Sequence, residues 1–196
     1  MGRGASTPTR AAVGPDSRLG AAARPGPVVA ADGALEWRLD GRLHRVDGPA
    51  RITADGSREW FLNGFPCRRD DGPTVELADG SRLWVGPVGY DRDDGPAVEL
   101  PCGRREWWRL GVRHRDDGPA VTAPDGTEQW WVDGELHRDP ADGPAWSGPS
   151  GERRWMREGE LHREGGPAWI TARGVGLFYR DGMPCLPPIS VPALDL

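Results

Sequence analysis

Large aromatic residues recur along this chain at a nearly constant interval. They stand at Trp37, Trp60, Trp84, Trp107, Trp130, Trp155 and Phe178, so successive members are 23, 24, 23, 23, 25 and 23 residues apart. We call these residues the markers and number repeats 1 to 7 after them. A fixed period of this length indicates a repeat architecture, in which each unit buries apolar surface against its neighbours.

Turn signals recur in step with the markers. Gly-Pro pairs follow them at Gly48-Pro49, Gly72-Pro73, Gly95-Pro96, Gly118-Pro119, Gly143-Pro144 and Gly166-Pro167. Asn63-Gly64 and Asp133-Gly134 come just after a marker, and Asp125-Gly126 precedes one. Such pairs favour tight hairpins because these turns need positive φ. With 29 Gly and 20 Pro in 196 residues, helices are not expected. The sequence therefore predicts an all-β fold, an elongated solenoid-like array of about seven β-hairpin repeats.

Composition divides the chain into three parts. Residues 1–34 are rich in Gly, Ala and Pro and are predicted to be a flexible leader. Residues 35–185 carry the repeats. Residues 186–196 are apolar and Pro-rich, and we expect them to form a C-terminal cap over the last repeat.

The charge and cysteine content exclude some classes of protein. The net charge is −5 and the pI about 5.4, so the chain lacks the positive field that would attract a nucleic acid or an anionic membrane. Neither is expected as a partner. Cys67, Cys102 and Cys185 are too few and too scattered for a secreted disulfide framework. No apolar stretch approaches the ~20 residues of a membrane helix. We expect a cytoplasmic protein.

The repeats resemble the MORN family, in the form with His-Arg followed by Asp-Gly-Pro-Ala that is seen in bacteria and viruses. The matching residues are Trp108, Gly111 and His114; Trp131, Gly134 and His137; and Met156, Gly159 and His162. Arg replaces the Gly that usually follows the His, and one extra residue precedes the next Gly. The resemblance implies a twisted sheet with one hairpin per repeat. Because bacterial relatives are often labelled as antitoxins, it also implies an antitoxin-like role.

Potential metal ligands stand seven residues after each marker. They are His44, Cys67, Asp91, His114, His137, His162 and Cys185. Ligand atoms around one ion lie about 3 to 3.5 Å apart, whereas hairpin repeats would separate equivalent residues by roughly 9.6 Å. We therefore predict that the histidines are structural, donating to turn carbonyls or packing beside the markers. Metal binding by a subset stays an alternative, and no cofactor is expected.

An arginine follows each of these positions except the last. The set is Arg45, Arg68, Arg92, Arg115, Arg138 and Arg163, with acids nearby at Asp47, Asp71, Asp94, Asp117 and Asp142. We predict a ladder of pairs within the repeats. The alternative is an unpaired arginine stripe that binds phosphates or carboxylates.

A catalytic centre is a single tuned pocket, whereas each of these polar motifs is repeated, so an enzyme is not expected.

The residues next to the markers are the candidate partner site. If the markers form the core on one face, the following residues point to the other: Phe61, Trp108, Trp131, Met156 and Tyr179, interrupted by Arg38 and Val85. Exposed, they would form an apolar patch that anchors a protein; a curled sheet would hide them. We predict a non-catalytic protein-interaction or scaffolding module, with Arg115, Arg138 and Arg163 also contacting the partner. The alternative is a small ligand or lipid headgroup along the arginines.

Overall fold

The computed structural model describes residues 26–188. Over that range every regular element is a β-strand of two residues, and there is no helix. In chain order the strands are β1 (Val28–Val29), β2 (Leu35–Glu36), β3 (Arg38–Leu39), β4 (Arg42–Leu43), β5 (Arg51–Ile52), β6 (Arg58–Glu59), β7 (Phe61–Leu62), β8 (Phe65–Pro66), β9 (Val75–Glu76), β10 (Arg82–Leu83), β11 (Val85–Gly86), β12 (Gly89–Tyr90), β13 (Val98–Glu99), β14 (Arg105–Glu106), β15 (Trp108–Arg109), β16 (Val112–Arg113), β17 (Val121–Thr122), β18 (Glu128–Gln129), β19 (Trp131–Val132), β20 (Glu135–Leu136), β21 (Trp146–Ser147), β22 (Arg153–Arg154), β23 (Met156–Arg157), β24 (Glu160–Leu161), β25 (Trp169–Ile170), β26 (Gly176–Leu177), β27 (Tyr179–Arg180) and β28 (Met183–Pro184).

Two kinds of strand pairing alternate along the chain. Fourteen strands form one antiparallel sheet, the long sheet, in the order β1-β2-β5-β6-β9-β10-β13-β14-β17-β18-β21-β22-β25-β26. The other strands pair as seven hairpins, one after each marker, which we call the marker hairpins. The predicted all-β array of hairpin repeats is confirmed. Each repeat contains two hairpins, one in the long sheet and one marker hairpin, whereas the resemblance implied a single hairpin per repeat.

Each marker lies where the chain passes from the long sheet into a marker hairpin. The N–H of Trp107 donates to the carbonyl of Ala120 at 2.7 Å, and its own carbonyl accepts the N–H of His114 at 3.2 Å. Both backbone groups of the marker are therefore used within its own repeat. The Asp133-Gly134 turn that follows the next marker has φ of 49° and 86°, the positive values that a tight hairpin of this kind requires.

Alanines, rather than markers, form the most deeply buried column. Ala34, Ala50, Ala97, Ala120, Ala145 and Ala168 are completely buried. Of the markers, Trp155 is buried and the other six are half-buried. Most markers are therefore partly accessible, whereas these alanines are completely buried. In repeats 1 to 6 an arginine side chain covers the marker ring, as described below.

The array begins earlier than the sequence suggests. Val28 pairs with Glu36, so β1 lies inside the range assigned to the leader, whose first 25 residues are outside the described part. At the other end Leu186 is 89% exposed. The rest of the predicted cap, 189–196, lies outside the described residues.

Between 26 and 188 no helix has the length and apolarity needed to cross a membrane.

Candidate partner-binding face

Four side chains of neighbouring marker hairpins meet on one side of the array. The rings of Tyr90 and Trp108 lie 5.2 Å apart between centroids, tilted by 56°. The guanidinium carbon of Arg113 lies 4.8 Å from the ring of Trp108 and 5.3 Å from that of Trp131. We call Tyr90, Trp108, Arg113 and Trp131 the aromatic cluster. All four side chains are half-buried, so each keeps accessible surface.

A buried carboxylate holds two members of this cluster, Trp108 and Arg113, in place. Glu106, 7% exposed, accepts hydrogen bonds from Arg104 Nε at 2.7 Å, from Trp108 Nε1 at 3.1 Å and from Arg113 Nη2 at 3.1 Å. Burial alone would raise the pKa of Glu106, but the guanidinium groups of Arg104 and Arg113 outweigh it and lower the pKa below its ordinary value. The ionised carboxylate neutralises Arg113 and fixes the indole of Trp108.

The equivalent positions of the other repeats continue this side of the array. Phe61 in repeat 2 pairs with Pro66, Met156 in repeat 6 with Leu161, and Tyr179 in repeat 7 with Pro184. Phe61, Met156 and Tyr179 are half-buried, like the cluster. The apolar residues after the markers therefore form a row of half-buried side chains, and the sequence did not identify Tyr90 and Arg113 as members of it. Neither of these two follows a marker.

The long sheet carries a second aromatic group with the same design. Arg154 lies opposite both Trp146 and Trp169 in the strand register, with its guanidinium carbon 4.7 Å and 5.2 Å from their rings. Glu152 accepts hydrogen bonds from Arg154 Nη2 and Trp169 Nε1, both at 2.7 Å. The cross-strand register connects this group to Glu106 along one face of the long sheet. Trp146 and Trp169 thus extend the aromatic surface toward the C-terminal repeats.

The repeated arginines stack on the markers. In each of repeats 1 to 6 the guanidinium carbon lies 3.7 to 4.2 Å from the marker ring, and Nη1 donates to the carbonyl of the following Gly-Pro proline. Arg115 packs on Trp107 in this way, while the adjacent Trp108 belongs to the aromatic cluster. Trp108 and Arg115 nevertheless line the same open cleft, so a predicted aromatic residue and a predicted arginine come together in repeat 4.

Four of the stacked arginines are paired with carboxylates. The Nε atom of Arg donates to the Asp two residues later in the pairs Arg45–Asp47, Arg68–Asp70, Arg92–Asp94 and Arg115–Asp117. The predicted ladder of pairs is therefore present in these repeats, although Arg68 uses Asp70 rather than Asp71. Among the described residues, Arg138 and Arg163 have no carboxylate within ion-pair distance. The arginines do not form a continuous cationic stripe.

The column of potential metal ligands connects neighbouring repeats instead. The turn N–H of Asp133 donates to His114 Nδ1 at 3.1 Å, and that of Leu110 donates to Asp91 Oδ1 at 2.9 Å. The same contact forms from Asn63 to His44, from Glu158 to His137 and from Asp181 to His162, at 3.1, 3.3 and 3.2 Å. We call this contact the latch. In three of the four histidine latches Nδ1 also lies 2.8 to 2.9 Å from the side-chain oxygen of the same turn residue, Asn63, Asp133 or Asp181. The side chain therefore contacts the amide and the side chain of the turn residue, whereas the sequence suggested that it donates to a turn carbonyl.

The two cysteines of the column stand where no latch can form. Opposite Cys67, the residue three after the next marker is Pro87, which has no N–H. Cys185 belongs to the last repeat, so no eighth marker hairpin follows it within the described chain. Donor and acceptor are thus lost together.

Within residues 26–188 no group of three or more His, Cys, Asp or Glu side chains is arranged to hold a metal ion.

Two open clefts lie between successive loops on the marker side. One, of about 460 Å³, is lined by residues that include Arg92, Asp93 and Asp116. The other, of about 620 Å³, lies one repeat further on and includes Asp116, Arg138 and Asp139. Both clefts are rich in carboxylates, and the same residue types recur in each. The arrangement is that of a repeated surface.

Comparison with known proteins adds no relative to this description. No family model matches the chain, and no curated protein shows significant similarity to it.

Proposed function

We propose that this chain is a non-catalytic protein-binding or scaffolding array of MORN-like repeats, and that its partner docks on the aromatic cluster. The observation that carries the proposal is a row of half-buried aromatic side chains in which hydrogen bonds fix two indoles, that of Trp108 to buried Glu106 and that of Trp131 to Gln129. Trp, Tyr and Arg are the residues that most often anchor protein interfaces. An anchor that is already ordered loses little side-chain entropy on binding.

The charges around the stacked arginines favour a protein over a lipid headgroup as the partner. A lipid surface would need a field of unpaired cations. Here four of the six stacked arginines face their own carboxylates, and the chain carries a net charge of −5. The proposal places binding in the cytoplasm, in keeping with three cysteines that form no disulfide.

Pull-down from cells that express the chain tests the proposal. Trp108→Ala combined with Trp131→Ala removes both indoles that flank Arg113 and should abolish recovery of a specific partner. The matched control is Val112→Ala combined with Val132→Ala. These residues lie in the same two marker hairpins but alternate with Arg113 and Trp131, and they are 41% and 37% exposed. Equal recovery with both double variants would refute docking on the aromatic cluster.

An antitoxin-like role is the narrower form of the proposal, and the resemblance to MORN repeats supports it. Co-expression with the product of the adjacent gene provides the test. If that product stops growth, the wild-type chain should restore it and the double tryptophan variant should not. Equal rescue by the two chains would contradict a role of the aromatic cluster in neutralisation.

A further inference from the structure

The stacked arginines of repeats 4 and 6 have the same surroundings on two sides. Arg115 lies 4.2 Å from the ring of Trp107, and Arg163 lies 3.7 Å from that of Trp155. In both, Nη1 donates to the carbonyl of the Gly-Pro proline at 3.3 Å. The loops between arginine and proline have the same length, 115–119 and 163–167.

The third side differs between the two repeats. In repeat 4 the Nε atom of Arg115 donates to Asp117 at 2.8 Å. In repeat 6 the equivalent residue is Gly165, which has no side chain. Among the described residues no carboxylate lies within ion-pair distance of Arg163. The aromatic ring and the proline carbonyl therefore hold a guanidinium whose Nε has no partner in its own loop.

The pKa values of Arg68 in repeat 2, which is paired with a carboxylate, and of Arg163, which is not, are shifted in opposite directions. Hydrogen bonding to Asp70, more than any other contact, raises the pKa of Arg68, against an opposing effect of burial. Burial lowers the pKa of Arg163, and nothing opposes it. A partly buried guanidinium without a counter-ion gains more from a carboxylate than an exposed one does, because less solvent screens the pair.

Arg138 also lacks an ion-pair partner, but its surroundings repel anions. Its loop is longer, and the residue two positions later is Pro140. Asp139 accepts the N–H of Ala141 at 2.9 Å. The adjacent cleft of about 620 Å³ is lined by Asp116, Asp117, Asp139 and Asp142. Four carboxylates around one guanidinium disfavour a further negative group.

We infer that Arg163 is a carboxylate-binding site, and that an Asp or Glu side chain of a protein partner binds it as Asp117 binds Arg115. This inference rests on the proposed protein-binding function and adds the chemistry of the partner. Since Arg163 packs on a marker, it supplies a contact separate from the aromatic cluster, near the C-terminal end of the array.

Nuclear magnetic resonance of the arginine Nε–Hε groups tests the site without any knowledge of the partner. The full chain is titrated with acetate, with an amidated tetraglutamate peptide and with inorganic phosphate. We expect a saturable shift at Arg163 with acetate and with the peptide, and less than a third of that shift at Arg115. Equal shifts at the two arginines, or none at Arg163, would overturn the inference. Tighter binding of phosphate than of the peptide would also overturn it, in favour of a phosphate ligand.

Substitutions at Gly165 sharpen the test. Gly165→Asp supplies the carboxylate within the chain and should abolish the shift at Arg163, whereas Gly165→Asn, of the same size but neutral, should retain it. Gly165 has φ of 75°, and both Asp and Asn tolerate positive φ. Asp117→Gly should create a second responsive arginine at Arg115. Loss of the shift in the Asn variant while its backbone spectrum is intact would contradict the site. Because the probe is a defined peptide, this result is independent of the pull-down.

Discussion

The marker hairpins of repeats 4 and 5 are joined differently from those of repeats 2 and 3. Between repeats 4 and 5 the N–H of Gly134 donates to Arg113 at 3.0 Å, the N–H of Arg115 donates to Trp131 at 3.1 Å, and the latch joins Asp133 to His114. Between repeats 2 and 3 none of the three equivalent bonds is present among the described residues. There the hydroxyl of Thr74 donates to the Val85 carbonyl at 3.1 Å instead. The long sheet is continuous across both junctions.

This difference divides the marker hairpins into two blocks. Repeats 1 and 2 form one block and repeats 3 to 7 the other, since the latch and its two backbone bonds recur at every junction inside each block. The whole aromatic cluster lies in the second block, and Phe61 lies in the first. The latch therefore stabilises the relative positions of the residues that we propose to bind a partner.

Removal of one latch should have the largest effect. His114 is 6% exposed, and its Nε2 atom also lies 2.8 Å from Asp116. His114→Ala leaves the Asp133 N–H without its acceptor and opens a cavity, so we expect a loss of about 2 kcal/mol in the free energy of unfolding. Urea denaturation provides the measurement. Cys67→Ala, at the unlatched junction, should change the same quantity by less than ~0.5 kcal/mol. Similar losses in both variants would contradict a special role for the latch.

Building a latch where none exists should have an intermediate effect. Cys67→His supplies the acceptor, and Pro87→Asn with Val88→Gly supplies the turn found at Asn63-Gly64. We expect the triple variant to gain about 1 kcal/mol, the usual contribution of one hydrogen bond. Cys67→His alone should gain nothing, because Pro87 has no N–H to donate. A double-mutant cycle compares Cys67→His, the Pro87→Asn and Val88→Gly pair, and the triple variant. If the change in the free energy of unfolding of the triple variant equals the sum of the other two changes, acceptor and turn are not coupled.

Acid should weaken the contacts of the Asp181 carboxylate at the junction of repeats 6 and 7, by a smaller amount. This carboxylate accepts a hydrogen bond from Arg157 and lies 2.9 Å from His162 Nδ1. Hydrogen bonding to Arg157, more than to His162, lowers the pKa of Asp181 below its ordinary 3.8. The carboxylate therefore stabilises the fold above that pH, and this contribution is lost as the pH falls through the lower folded value. Asp181→Asn should be less stable than the wild type at neutral pH and should approach it in acid. A difference that is constant between pH 6 and pH 2, measured by urea denaturation, would exclude this contribution.

Local features of the sequence were enough to predict the repeat and its turns. The Asp133-Gly134 pair requires positive φ and forms a tight turn wherever short strands flank it, so the hairpins did not depend on distant contacts. The row of residues after the markers also followed from alternation along a strand. The depth at which the markers are buried did not follow from the sequence, because it depends on which side chains cover each face. Arg115 reaches back over Trp107 from eight residues away and takes the place of a second layer.

The latch was present in the sequence but could not be deduced from it. Cys67 replaces the acceptor of the latch and Pro87 replaces its donor, but these two positions are not adjacent in the chain. Only the register between neighbouring marker hairpins shows that they lie beside each other.

Native-state hydrogen exchange at the turn amides tests the central claim, that a side chain of one repeat holds the turn of the next. We predict slow exchange for the amides of Leu110 and Asp133, and fast exchange for Val88 at the unlatched junction. His114→Ala should release Asp133 while Leu110 stays protected. An Asp133 amide that exchanges as fast as Val88 in the wild-type chain would contradict the account.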